Sequence, residues 1–275
     1  MIRRGPTGQV ATLLWNRETD EFTMGQWLKG RIYERRCDLS PDGKFLIYFA
    51  AKRGRGEGSG TWTAISYAPY LKALAFFPQG DTYGGGGLWL TSNSYWLNTG
   101  HKVSTGADMF WRDESYQPQN FGNMECLGVY YPRLLRDGWK LVRDLPFANG
   151  CRATVFEKDL RHEWTLRKIA WAESPKEAGR GVYWDEHLLV HRRTDTVIKL
   201  PKWEWAESVG SDLIWAQEGK LMRAQVGEGG LEPEQLIRDF NDMKFEPIQA
   251  PYPVDLDEAR EGTEGMASFL AERYE

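Results

Sequence analysis

The sequence predicts an all-β protein made of many short antiparallel strands. Aromatic residues make up 13% of the chain, with 13 Trp, 12 Tyr and 12 Phe, and glycine is frequent at 29 residues. Bulky planar side chains suit a pleated, half-buried surface, and glycines suit tight reversals. Apolar runs of three to eight residues, bounded by charge or by turn residues, recur from near the start to about residue 226. Strands this short and this closely spaced fit an antiparallel sandwich, barrel or propeller.

The elements follow in order. Val10-Ala11-Thr12-Leu13-Leu14-Trp15 reads as an apolar strand with no early partner, so it is expected to pair with a blade formed by late residues. Arg31–Leu39 alternates loosely, and Lys44–Lys52 is an apolar run bounded by charge, the pattern of a strand buried on both faces. Thr61–Ser66, Ala73–Phe77, Gly87–Thr91 and Tyr95–Asn98 have strand chemistry. So do Leu127–Tyr131, Trp139–Val142, Ala153–Glu157 and Trp164–Ile169. Val182–Trp184, Leu188–His191 and Thr196–Leu200 follow in quick succession, and Leu213–Ala216 with Lys220–Val226 forms a hairpin over Gln217-Glu218-Gly219. Helices are expected only towards the C-terminus. Pro233 suits a first helical turn, ahead of Leu236, Ile237, Phe240 and Met243 at helical spacing. A second stripe runs through Met266, Phe269, Leu270 and Tyr274. The division expected is one domain over residues 1–230 with a helical and extended appendage over 231–275.

Ser40-Pro41-Asp42-Gly43 is a turn with a mechanism. Proline presets φ, the aspartate carboxylate caps the turn, and glycine takes a positive φ before an apolar strand starts at once. This phrase resembles the recurring blade signature of WD-type and Tol-type β-propellers, where it links adjacent strands of one blade. Weaker echoes are Leu135–Leu141 and Ala216–Leu221, and Trp184–Leu189 has the same rhythm without the glycine. Strand positions near 45, 89, 140, 188 and 220 are separated by 44, 51, 48 and 32 residues, the first three close to a blade length of about 40 to 50 residues. The resemblance implies a propeller of five blades with a C-terminal helical appendage, and it names no activity.

Composition excludes several functions. The net charge is −4, so a general nucleic-acid binder is not expected. There is no uninterrupted apolar stretch of about 18 residues, so no membrane helix is expected. Basic residues near the start have no apolar run behind them, so no secretory signal is expected. Cys37, Cys126 and Cys151 are odd in number and far apart, which fits reduced, buried thiols in a cytoplasmic protein rather than disulfides or a structural zinc. No cofactor is expected. Arg31, Arg35, Arg36, Lys44, Lys52, Arg53 and Arg55 fall close together and can attract an anion if they share a face; a solvated pair of strands and a hairpin tip is the simpler reading.

His187 and His191 lie four apart, but Leu188 stands where a zinc protease needs glutamate and the segment reads as strand, so no metal is expected there. Gly84-Gly85-Gly86-Gly87 precedes a strand and lacks a following Lys-Ser or Lys-Thr, which points to close strand approach rather than a nucleotide loop. The irregular stretch from Thr99 to Asn123 is long for a compact domain and contains His101, Phe110, Trp111, Arg112, Tyr116 and Phe121. Asp108, Asp113, Glu114 and Glu125 are the carboxylates in and around it that a glycoside hydrolase would need. No family-specific acid motif and no nucleophile elbow is legible, so a non-catalytic role is expected. The expected function is binding or scaffolding of another protein through propeller loops. Trp89, Trp96, Trp111 and Arg112 are the leading anchors, because Trp and Arg dominate interface energetics, and His101 and Asp108 stand beside them. The alternatives are a carbohydrate-active hydrolase with two loop carboxylates, or a lectin-like sugar binder.

Overall fold

The computed structural model describes residues 1–5, 8–52, 60–99, 109–121, 127–148, 151–172 and 183–252, with side chains of 143–148 and 151–152 left aside. The fold is all-β, a five-bladed β-propeller, with five sheets each built from one contiguous stretch of chain. The chain forms two compact units. One holds Met1–Arg133 and the segment from Lys244 onward; the other holds Leu134–Met243.

In the first unit, blade 1 is β1 (Ile2–Arg4), β2 (Gln9–Trp15) and β3 (Phe22–Lys29) in that spatial order. Blade 2 contains β4 (Arg31–Ile32), β5 (Asp38–Leu39), β6 (Phe45–Lys52), β7 (Gly60–Tyr67) and β8 (Ala73–Pro78), ordered β4-β6-β7-β8 with β5 also on β6. Blade 3 is β9 (Gly87–Trp89), β10 (Ser94–Leu97) and β11 (Trp111–Arg112), with β11 parallel to β10. A helix, α1 (Leu127–Arg136), follows.

Blade 2 is buried on both faces because β6 is apolar at every position from Phe45 to Ala51. Its alternation sends Phe45 and Ile47 into one cluster with Phe77, Trp89, Tyr95, Leu97 and Phe110. It sends Tyr48 and Ala50 into another with Val10, Ile32, Cys37, Trp62 and Leu71. The period-2 side-chain rule thus stacks blade 2 between its two neighbours, with aromatics filling the space between sheets. Phe45 stacks on Trp89 at 5.5 Å and on Tyr67 at 5.2 Å, and meets the Phe110 ring edge-on at 5.4 Å. Cys37 belongs to this core, and burial pushes its thiol up to about 12, so it is inert packing.

The Ser40–Gly43 turn joins β5 to β6 as its residues dictate. Ser40 Oγ donates to Asp42 Oδ1 (2.6 Å) and accepts from the Phe45 amide (2.8 Å), and the Lys44 amide donates to Asp42 Oδ1 (3.2 Å). Gly43 takes φ +74° and donates its N–H to the Ser40 carbonyl. The Ser40 hydroxyl holds the Asp42 carboxyl below its ordinary value. A depressed folded-state value means stability that is present above about pH 4 and is lost as pH falls through the folded value. Asp42 is exposed, which screens the effect. Asp42→Ala is therefore expected to cost about 0.5–1 kcal/mol at pH 7 in urea unfolding, with the difference narrowing below pH 4.

Gln26 is the polar knot of the first unit. Its Oε1 accepts from the Leu71 and Lys72 amides (2.8 and 2.9 Å), and its Nε2 donates to the Ile248 carbonyl (2.8 Å). It ties blade 1 to the loop before β8 and to the segment from Lys244. Tyr252 completes that attachment by donating to the Lys72 carbonyl (2.6 Å) and meeting Tyr67 edge-on. Gln26→Ala strands the buried Leu71 amide and two part-buried backbone groups, and is expected to cost about 2 kcal/mol, read from the urea midpoint at unchanged m-value.

In the second unit, blade 4 is a five-stranded meander of β12 (Lys140–Ala148), β13 (Cys151–Asp159), β14 (Trp164–Ala172), β15 (Trp184–His191) and β16 (Val197–Lys199). Blade 5 is β17 (Trp205–Val209), β18 (Asp212–Gln217), β19 (Lys220–Gly227), β20 (Gly230–Leu231) and β21 (Gln235–Asp239), with β20 and β21 both on β19. Trp139 is buried. Its indole Nε1 donates to Glu207 (3.0 Å), the Lys168 ammonium lies 4.6 Å from its ring centroid and that of Lys158 5.3 Å. Lys158 pairs with Glu207 at 2.5 Å and the buried Lys168 with Asp185 at 3.6 Å, so each ammonium has a carboxylate partner.

Four expectations change. β2 pairs with β1 and β3, not with late strands, because Ile2–Arg4 supplies the missing neighbour. Leu127–Tyr131 belongs to α1, since Leu127, Tyr130, Tyr131 and Leu134 recur at helical spacing and all are buried. Gly138 at φ +87° ends the turn that follows. The stretch after Pro233 is strand β21 rather than helix. The free side of β19 gives its backbone a partner, and an isolated helix of that length is marginal. The second C-terminal stripe, residues 263–274, lies outside the described residues. Finally, the positions near 140 and 188 fall in the same blade, and blade 1 had no marker in the five-position rhythm.

Candidate functional site

An open cleft of about 650 Å³ lies in the first unit, lined by residues from the end of β8, the turn before β9, the end of β10 and the residues of and after β11. Its back wall is rigid. Beyond Pro78 the ladder extends one more step, from the Gln79 amide to the Thr61 carbonyl (2.8 Å). The buried Gln79 side chain meets the Thr99 hydroxyl at 3.1 Å through both Nε2 and Oε1. Arg112 Nη2 donates to the Thr99 carbonyl (3.1 Å), and Asn98 exchanges backbone hydrogen bonds with Gly85 and Gly86.

The glycine run carries the wall. Gly85 and Gly86 take positive φ, +96° and +82°. A side-chain carbon on Gly85 would enter the Phe49 ring, and one on Gly86 would lie 2.6 Å from the Arg36 Cβ and inside contact of the Arg36 carbonyl oxygen. Arg36 sits underneath, 0% exposed, donating from Nη1 to the Gly84 carbonyl (2.6 Å) with its guanidinium 4.8 Å from the Phe49 centroid. Close approach is thus the role of the four glycines. Arg35 is buried too, 4.6 Å from the Tyr130 centroid. The reading of Arg31–Arg55 as a solvated pair of strands and a hairpin tip is corrected for these two arginines, which are wall and core, while Arg53 and Arg55 lie outside the described residues.

Other groups of the cleft are open. Asp81 Oδ1 accepts from the Tyr83 and Gly84 amides (2.8 and 3.4 Å), which leaves Oδ2 without a hydrogen bond among the described residues. Tyr83 is 75% exposed, and its ring touches no other ring among them. Trp96 is half-buried, with Tyr116 edge-on at 6.1 Å. The Glu114 carboxylate is exposed and makes no ion pair among the described residues.

The anchors expected from the sequence divide by strand face. Trp96 and Arg112 both line the cleft. Trp89 does not: it is 0% exposed, and the register Tyr95↔Trp89 puts it on the core face of blade 3. Trp111, next to Arg112 on β11, is 56% exposed and outside the lining. His101, Asp108 and Glu125 lie outside the described residues. Asp113 spends its carboxylate on Ser115 and Tyr116 (2.6–3.2 Å), and the Ser115 hydroxyl holds it below its ordinary value. Of the expected carboxylates, Glu114 lines the cleft. Gln79, Asp81, Tyr83, Asn98 and Thr99 were not singled out. The sequence signal for them was the Pro78–Asp81 turn leading into the glycine run.

Chemically the lining is suited to hydrogen bonding and ring stacking. Among the described residues it offers two carboxylates, one guanidinium, two aromatic rings and two amides, and contains no serine, cysteine or histidine. His187 is a buried structural histidine with Nδ1 3.1 Å from the Trp203 carbonyl, and His191 contacts Thr194. No group of three His, Cys, Asp or Glu among the described residues can hold a metal. No protein-family model matches the chain, and no curated protein matches it in sequence.

Proposed function

We propose that the protein is a non-catalytic binding or scaffolding module that docks a segment of a partner protein in the cleft between β8 and β11. One observation carries the reading. The wall is locked from behind by Gln79–Thr99, Arg112–Thr99 and Arg36–Gly84, while Tyr83, Trp96, Asp81 and Glu114 stay open to a ligand. A frame ordered beforehand loses little entropy on association. The Ser40–Gly43 turn supports kinship with WD-type and Tol-type propellers, whose loops bind. Among the described residues no helix is long and apolar enough to cross a membrane, and the buried Cys37 thiol supports a reducing, cytoplasmic setting.

Panning a displayed random-peptide library against the protein tests this. Selected peptides are expected to lose about tenfold or more in affinity on Trp96→Ala at unchanged melting temperature, to lose affinity on Arg112→Ala together with some stability because the Thr99 lock goes with it, and to keep affinity on Trp111→Ala. Peptides indifferent to Trp96 and Arg112 would refute the cleft as the site. A sugar is the second reading, favoured by Trp96 and Tyr83 beside two carboxylates. A glycan array separates it: retention without turnover marks a lectin, and turnover marks a hydrolase.

A further inference from the structure

We infer that the cleft selects a basic side chain, lysine or arginine, on the docked segment. The inference rests on the reading of the cleft as a protein-binding site and adds the chemistry of the partner. It comes from separating committed groups from open ones. Several polar groups that would suit an acidic or amide-bearing ligand already hold bonds within the wall. Arg112 is turned to the Thr99 carbonyl, Gln79 is closed on the Thr99 hydroxyl, and Asn98 Nδ2 points to the Gly85 carbonyl at 3.4 Å.

Among the described residues of the lining, carboxylates outnumber the single guanidinium two to one, and both carboxylates stay open. Among the described residues Asp81 Oδ2 has no hydrogen-bond partner, because Oδ1 alone caps the Tyr83 and Gly84 amides, and that cap holds the carboxylate at the rim. Glu114 contributes a second carboxylate from the residues after β11. Tyr83 and Trp96 contribute ring faces. A carboxylate accepts and never donates when ionised, so a ligand that satisfies both must bring donors. An aromatic face attracts a cation through its quadrupole. An ammonium or guanidinium on an apolar stem meets both demands, since the stem lies along the rings while the head reaches the acids. A neutral sugar also donates to carboxylates, but it carries no charge for their long-range field to attract. The two classes therefore part on salt dependence.

The test uses fluorescence anisotropy with labelled nine-residue peptides, identical apart from one central Lys, Arg, Ala or Glu, in a sequence taken from library selection. Four proteins are compared: the wild-type protein, Glu114→Gln, Asp81→Asn/Glu114→Gln and Trp96→Ala. Asn at 81 keeps the acceptor that caps Tyr83 and Gly84, so the rim is preserved. The Lys and Arg peptides are expected to bind the wild-type protein about tenfold or more tightly than the Ala peptide, and the Glu peptide more weakly still. The double substitution is expected to remove that preference, and raising salt from 50 to 300 mM to shrink it. Lys, Ala and Glu peptides that bind alike yet all depend on Trp96 would overturn the basic-ligand inference and leave the cleft reading standing. Binding indifferent to Trp96, or an oligosaccharide retained where every peptide fails, would overturn the cleft reading and this inference with it.

Discussion

Trp89→Ala is expected to destabilise the protein by about 3–5 kcal/mol while leaving peptide affinity at the cleft unchanged in the fraction that stays folded. Trp89 has no exposed surface. Its ring contacts Phe45, Tyr95 and Phe110 at 5.5–5.9 Å, and its amide donates to Asp38 Oδ2 at 2.8 Å. Truncation leaves a cavity between blades 2 and 3 that the rigid sheets cannot close. The same substitution at Trp96, on the opposite face of the same blade, is expected to do the reverse: little change in stability and a large loss in binding. Urea unfolding of the two variants, with anisotropy measured alongside, separates core from site. Equal destabilisation by both would mean that Trp96 is also core.

Gly86→Ala is expected to cost about 3 kcal/mol or more and to weaken binding in the remaining folded protein. Two penalties coincide there. The backbone sits at φ +82°, where an L-side chain is strained, and the added carbon meets Arg36 backbone rather than a flexible side-chain end. The wall must retreat, and Gly84, which faces the cleft, moves with it. Gly80→Ala is the control, since nothing lies within 4 Å of a carbon added there. A Gly86→Ala protein as stable as wild type would contradict the tight seating of the glycine run on Arg36.

What the residues disclosed was local. The Ser40–Gly43 turn was legible because its capping groups lie within five residues, and β6 because its apolar run admits no exposed face. Trp96 and Arg112 were singled out by residue type alone, and both line the cleft. Trp89 shows the limit of that reasoning: it and Trp96 have the same chemistry and similar neighbours, and only the stacking of blade 3 on blade 2 decides which is buried. Arg36 makes the same point. Nothing in Arg35-Arg36 announces burial; it depends on Tyr33, Phe49 and Tyr130, which are brought together only in the fold. β1 was missed because Ile2-Arg3-Arg4 is three residues with two charges and no alternation, and its pairing is supplied by β2. β21 was missed because its apolar spacing fits a helix, and the free side of β19 overrides that preference. Asp81 was hard to rank among 39 acidic residues, and Glu114 among the four carboxylates named, since their significance lies in which groups around them are already bonded.

Hydrogen–deuterium exchange, with and without the tightest library-selected peptide, tests the central claim that recognition occurs on the cleft of the first unit. Protection on binding is expected over residues 79–86, 96–99 and 111–114, with blades 4 and 5 unchanged. Protection concentrated on β12–β21, with those three segments unaffected, would contradict it.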